Sequence, residues 1–119
     1  MKSQIMKKNY VKNMDDSIEK LISDNIKYDD QSARNSNKIE FYNYLIPKLI
    51  SKNKPIHVIE TGTMYNEIQG AFTKIIGHII KNYTGGKLFT VDISEDHINK
   101  SKEYTSEYSD FIESINFFK

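Results

Sequence analysis

Glu60, Thr61, Gly62 and Thr63 stand in a row where an apolar run, residues 56–60, comes to its end. Asp92 closes a second apolar run further along, and Ile93 follows it. A carboxylate at a strand tip can accept hydroxyl protons or sit beside a cation. Gly62 lets the backbone turn sharply and approach a ligand with no Cβ in the way. Thr61 and Thr63 supply hydroxyls. A helical pattern opens just beyond, near residues 69–71, and a helix start presents backbone N–H groups that lack intrahelical partners. Asp92 lies about 20 residues past this loop, where nucleotide-binding patterns place an acid that takes ribose hydroxyls. The set could therefore hold a ribose-bearing ligand.

Such residues work only if the chain brings them together. The run 56–60 is short and β-branched, with Pro55 before it and Gly62 after it, which predicts a strand. Residues 69–83 place Phe72, Ile75, Ile76, Ile79, Ile80 and Tyr83 at helical spacing, and Thr84-Gly85-Gly86 is a stop signal. Residues 87–93, "KLFTVDI", predict a second strand. Ser94 caps a further helix with Glu95 and Asp96 in its first turn, Ser109-Asp110 breaks it, and "ESINFF" predicts a third strand. Alternation of this kind implies parallel strands joined by helical crossovers. Ligands of such sheets bind beyond the carboxyl ends of the strands, where Glu60 and Asp92 fall.

Upstream, Asn13 can cap a helix with Ile18, Leu21, Ile22 and Ile26 on one face. "YDDQSARNSN" reads as a loop. Asn37 with Glu40 resembles a capping box that opens a second helix, in which Pro47 must kink or split the pattern.

The whole chain has 119 residues, which fits one small domain. Its mean hydropathy of -0.62 is polar, yet "VIETGT" and "IIGHII" can build a core. Net charge is +1, so no global basic field exists to attract nucleic acid. Residues 1–55 carry a net +4 and the rest a net -3, and the Lys-rich start reads as a solvated leader. There are no cysteines, which excludes disulfides, thiolate metal sites and a Cys nucleophile. No apolar run approaches a membrane span and no signal-peptide core is present, so a cytoplasmic protein is expected. His57, His78 and His97 show no metal spacing and read as structural or surface residues, with His97 set just after the cleft strand. No metal is expected.

Charge narrows the ligand. A dinucleotide lays its pyrophosphate on the loop and helix start. This loop has one Gly where the dinucleotide fingerprint has three, and it carries Glu67 as well as Glu60. Carboxylates near a pyrophosphate repel it, the more so in a partly desolvated cleft. S-adenosylmethionine has no phosphate and carries a sulfonium and an ammonium, so the electrostatics favour it.

"VIETGT", then "GAFT" opening a helix, then "GGKLFTVDIS" resemble the first and second motifs of class I S-adenosylmethionine-dependent methyltransferases, in the E-x-G-T subgroup found among small-molecule and sugar O-methyltransferases. The resemblance covers residues 38–119. It implies that Glu60, Thr61, Gly62 and Thr63 line the methionine end of S-adenosylmethionine, that Asp92 holds the ribose hydroxyls, and that Ile93 packs on adenine. It implies an α/β fold with a Rossmann-like parallel sheet. The family's further small loop residues fall here at Met64 and Asn66, and "MYNEIQ" resembles an insertion before Gly70. The family's sheet has about seven strands and this sequence reaches the third, so a truncated, half-sheet form is expected, with its first strand an exposed edge.

These readings divide the chain into a helical leader, 1–36, and a partial Rossmann-like cofactor-binding domain, 37–119. The functional expectation is the cofactor-binding half of a methyltransferase acting on a hydroxyl of a small molecule or sugar. The catalytic base is expected beyond Lys119. Two alternatives stay open: a non-catalytic module that assembles through its exposed sheet edge, as a homo-oligomer, and an NAD-dependent Rossmann enzyme.

Overall fold

A computed structural model describes residues 16–27, 32–64 and 72–117. The chain divides into two compact units, Met1–Asn53 and Lys54–Lys119.

Among the described residues the first unit holds two helices, α1 (Asp16–Lys27) and α2 (Ser32–Ser51). In α1 Ile18 and Ile22, one turn apart, are fully buried, and Asp16 and Glu19 occupy the first turn, where carboxylates suit the positive end of the helix. The expected cap Asn13 and the side chain of Ile26 lie outside the described residues. Asn37 does not open α2: the helix already runs from Ser32, so Asn37 is interior and the stretch read as a loop is helical from Ser32 on. The capping-box spacing misled because Ser, Asn and Arg tolerate helix well enough once neighbouring turns are fixed. Nor does Pro47 split α2. Tyr42 and Ile46 are buried just before it, and burial of that face offsets the hydrogen bond the proline cannot make.

The second unit is α/β, a Rossmann-like arrangement around a three-stranded parallel sheet. Its elements are β1 (Ile56–Thr61), α3 (Phe72–Ile79) continued by a π-helical turn (Ile80–Thr84), β2 (Gly86–Asp92), α4 (Glu95–Tyr104), a 3-10 turn (Ser106–Phe111) and β3 (Ile112–Asn116). The strand order is β1-β2-β3, with Glu60 level with Thr90, Thr61 with Val91, and Asp92 with Asn116. Each crossover carries a helix, as parallel pairing requires. The predicted helix over 69–83 is seen from Phe72 onward, with a wider last turn that ends when the Gly85 N–H donates to the Ile80 carbonyl at 2.8 Å.

Gly86 starts β2 with φ +106°, and a Cβ there would overlap the Ile56 carbonyl, so glycine is required at this crossing of strands. From that point the two strands alternate in step. Ile56, Glu60, Leu88 and Thr90 are buried, while His57, Ile59 and Thr61 are exposed. Helix α3 lies against β2, and α4 against β2 and β3. Ile75, Ile76, Ile79 and Ile80 fill the core with Leu88 and Ile98. Among the described residues β1 pairs only with β2, so its other side is an edge, as expected. The opposite sheet face leaves Ile59 76% exposed and Ile115 39% exposed. No helix among the described residues is long and apolar enough to cross a membrane.

Candidate functional site

The carboxyl ends of β1 and β2 meet at one lip, and a loop crosses between them. Gly62 leaves β1 with φ +84° and donates its N–H to the Val91 carbonyl at 2.7 Å, extending the ladder by one step. A Cβ on Gly62 would have no atom within 4 Å, so the backbone here borders open space. The Thr63 N–H donates to Asp92 Oδ2 at 3.1 Å, and the Ser94 N–H donates to Asp92 Oδ1 at 2.8 Å. Asp92 thus fastens the loop after β1 to the turn before α4. Ser94 caps α4 as predicted, accepting from the His97 N–H at 3.2 Å. Asp92 takes no part in that cap and is held by two backbone N–H groups instead. Among the described residues each of its oxygens accepts one backbone N–H.

Thr61, Gly62 and Thr63 from the first lip, and Val91, Asp92 and Ile93 from the second, line an open pocket of about 640 Å³. His97 and Phe117 also line it. Ile93 and Phe117, each 67% exposed, give it two apolar corners. Five of the six predicted site residues therefore share one cavity.

Glu60 is the sixth, and it sits elsewhere. It is buried beneath the loop and is not part of the pocket wall. Thr73 on α3 donates to its Oε1 at 2.6 Å, and Thr90 on β2 donates to the same oxygen at 2.7 Å. Among the described residues none donates to Oε2. Thr73 also accepts from the Met64 N–H at 3.0 Å, so one hydroxyl links Glu60 to the loop. The Thr63 hydroxyl shares a 2.8 Å hydrogen bond with Ser101 on α4 and is buried, which turns that side chain from a ligand group into a latch. The two helices thus hold Thr63 and Met64, one each.

The two carboxylates are shifted in opposite directions. Burial pushes Glu60 above its ordinary range; the Thr73 and Thr90 hydroxyls pull the other way, and the neighbouring Asp92 charge adds to the rise. Burial also acts against charge on Asp92. It is outweighed by the Ser94 and Thr63 N–H groups and by His97, whose Nδ1 is 3.6 Å from Oδ1, so Asp92 is held below its ordinary range. Of the two, Asp92 is the one on the pocket wall and the one held toward its charged form.

Thr73, Thr90, Ser101, His97 and Phe117 were not foreseen as site residues. A signal existed for two. Thr73 falls on the stripe of Ile76 and Ile80, and Thr90 on the buried alternation of Leu88, and a hydroxyl in an apolar stripe needs a buried acceptor. Residues 69–71, whose N–H groups were expected at the cleft, and Glu67 lie outside the described residues. Among the described residues no group of three His, Asp or Glu side chains is placed to hold a metal. Compared with family models, curated proteins and solved structures, the chain matches none of them.

Proposed function

We propose that the chain is the cofactor-binding part of an S-adenosylmethionine-dependent methyltransferase that acts on a hydroxyl of a small molecule or sugar. The observation that carries this reading is the Asp92 carboxylate, anchored and anionic, on the wall of an open pocket at the carboxyl end of two parallel strands. Its remaining lone pairs suit the paired hydroxyls of a ribose. Ile93 and Phe117 offer apolar contact to a planar base, and the bare Gly62 backbone leaves room for the ligand's chain. The cationic end of the ligand suits a lip whose firm charge is negative. Asp92, Ile93, Thr61 and Gly62 would hold the ligand. Thr63, Ser101, Thr73 and Glu60 would shape the loop from behind. When bound, the methyl donor supplies an electrophilic carbon, and the protein's share is orientation and proton removal from the acceptor. A cytoplasmic location is part of this proposal.

Isothermal titration calorimetry with S-adenosylhomocysteine and, separately, NAD tests this. Binding of the first with a Kd below about 100 μM (at least 5 kcal/mol) and weaker binding of NAD is expected. Asp92→Asn keeps one acceptor oxygen and removes the charge, and it should weaken binding roughly tenfold, as for a charged hydrogen bond. Tighter binding of NAD would transfer the site to the dinucleotide reading.

A second reading has its own observation. Ile59 and Ile115 stand exposed on one sheet face, and β1 presents an open edge. A module that assembles through this sheet would bind neither nucleotide and would form concentration-dependent oligomers in analytical ultracentrifugation.

A further inference from the structure

Two hydrogen bonds at the ends of β1 show which of its backbone groups are in use. The Ile56 N–H donates to the Gly85 carbonyl at 3.1 Å, and the Gly62 N–H donates to the Val91 carbonyl at 2.7 Å. Along a strand, successive residues aim their N–H and C=O groups to opposite sides. Ile56, Val58 and Glu60 therefore face β2, and His57, Ile59 and Thr61 face away from it. Among the described residues no strand pairs with that outer side. The side chains of His57, Ile59 and Thr61 are also exposed. Sheet edges are commonly blunted by lysine, proline, an inward charge or a bulge. The outer side of β1 has no lysine, carboxylate or proline, and its register with β2 is unbroken. The other edge differs, because Glu113 stands exposed on β3.

We propose that the outer edge of β1 pairs with the same edge of a second copy of the chain, antiparallel, about a twofold axis at Ile59. Ile59 then faces Ile59 of the other copy, and His57 of each copy faces Thr61 of the other. Every outward N–H of one edge meets an outward C=O of the other in this register. No like charges stand opposite each other, and the two exposed isoleucines cover one another. The edge offers no charge that would select an acidic or a basic partner, whereas an identical uncharged edge matches it group for group. Strand addition draws its affinity from main-chain hydrogen bonds. A contact this short gives a dimer that exchanges with monomer. The two copies run in opposite directions, so their pockets open at opposite ends of the joined sheet. The inference rests on the assembly reading of the sheet, to which it adds the edge, the partner and the register. It makes no use of what the pocket binds.

Analytical ultracentrifugation of the full chain at pH 8, where an ordinary imidazole is neutral, tests this. The unmodified chain should pass from monomer to dimer over a roughly hundredfold rise in concentration. Ile59→Lys and Ile59→Glu each set like charges against each other across the axis, about 6 Å apart, and each should weaken the dimer roughly tenfold. Mixed in equal amounts, the two variants should regain it, because lysine then faces glutamate. Circular dichroism confirms that both are folded. Hydrogen exchange on the unmodified chain needs no variant: the Ile59 amide should slow as the chain is concentrated, while the Val58 and Glu60 amides, turned to β2, should not change. If dimers form and both variants dimerise as strongly as the unmodified chain, or the mixture regains nothing, or the Ile59 amide ignores concentration, the inference is overturned and the assembly reading moves to another surface. If the unmodified chain stays monomeric into the millimolar range, the assembly reading is overturned and the inference goes with it.

Discussion

Replacing Thr73 by valine keeps the branched shape of the side chain and removes one oxygen. That oxygen donates to Glu60 and accepts from the Met64 N–H, and its residue is fully buried. A hydrogen bond to a charged or partly charged acceptor contributes about 1.5–3 kcal/mol, and a buried N–H left without an acceptor costs about 1–3 kcal/mol. Against these, a methyl in place of a buried hydroxyl gains about 1 kcal/mol. Glu60 also recovers part of the loss by moving further toward its neutral form. The net expectation for Thr73→Val is a loss of about 2–3 kcal/mol. Thr90→Val is the matched control. Thr90 is equally buried and donates to the same Glu60 oxygen, but β2 gains a residue well suited to strand, and no loop N–H is orphaned. Its loss should be about 1 kcal/mol. Urea unfolding followed by circular dichroism at pH 8 gives both values, with unchanged slope in denaturant as the check on the folded state. Hydrogen exchange adds a local reading: the Met64 amide should exchange faster in Thr73→Val and not in Thr90→Val. Equal losses, or a larger loss for Thr90→Val, would refute the claim that Thr73 couples Glu60 to the loop.

The two carboxylates should give opposite pH dependences. Asp92, held below its ordinary 3.8, adds stability that is present above that value and is lost as pH falls through its depressed folded value; Asp92→Asn should therefore be less stable at pH 7, with the deficit shrinking in acid. Glu60, raised above its ordinary 4.5, contributes fully below that value and loses its contribution as pH rises through its raised folded value; Glu60→Gln should gain on the unmodified protein between pH 5 and pH 8 in urea midpoints. Gly86→Ala should yield little folded protein, since its Cβ meets the Ile56 carbonyl at a φ of +106°, and a circular dichroism spectrum like the unmodified chain's would contradict that crossing. Ile59→Lys should change stability by no more than about 0.5 kcal/mol and reduce self-association in ultracentrifugation, whereas a loss above about 2 kcal/mol would mean that Ile59 is covered.

The order of elements from Ile56 onward was legible because three independent signals agree there. The strands are short and β-branched, glycines mark both turns, and Ser94 caps the helix that follows. The register was not legible, and it decides what each carboxylate does. A strand tip predicts that Glu60 lies at the right edge of the sheet, but not which face it takes. Its level with Thr90 sends it inward, under the loop. Asp92 lies two residues beyond that level, and so reaches the loop's backbone and the pocket. The first unit was less legible. Its capping pattern at Asn37 is local, and a local pattern cannot say that the helix began at Ser32, more than a turn earlier.

This difference between Glu60 and Asp92 alters the electrostatic comparison of ligands. Two ionised carboxylates at one lip would repel a pyrophosphate strongly. With Glu60 buried, raised toward its neutral form and doubly hydrogen-bonded, the described lip presents one anion. A single charge at about 6 Å in a cleft of effective dielectric about 20–40 is worth about 1–3 kcal/mol against a phosphate, or a factor of roughly 10–100. On the proposed reading, that would rank S-adenosylmethionine above NAD without forbidding NAD outright. A neutralised Asp92 should therefore narrow the gap between the two ligands rather than merely weaken both. If Asp92→Asn lowers both affinities by one factor, the carboxylate serves the loop alone, and the preference must come from the shape of the pocket.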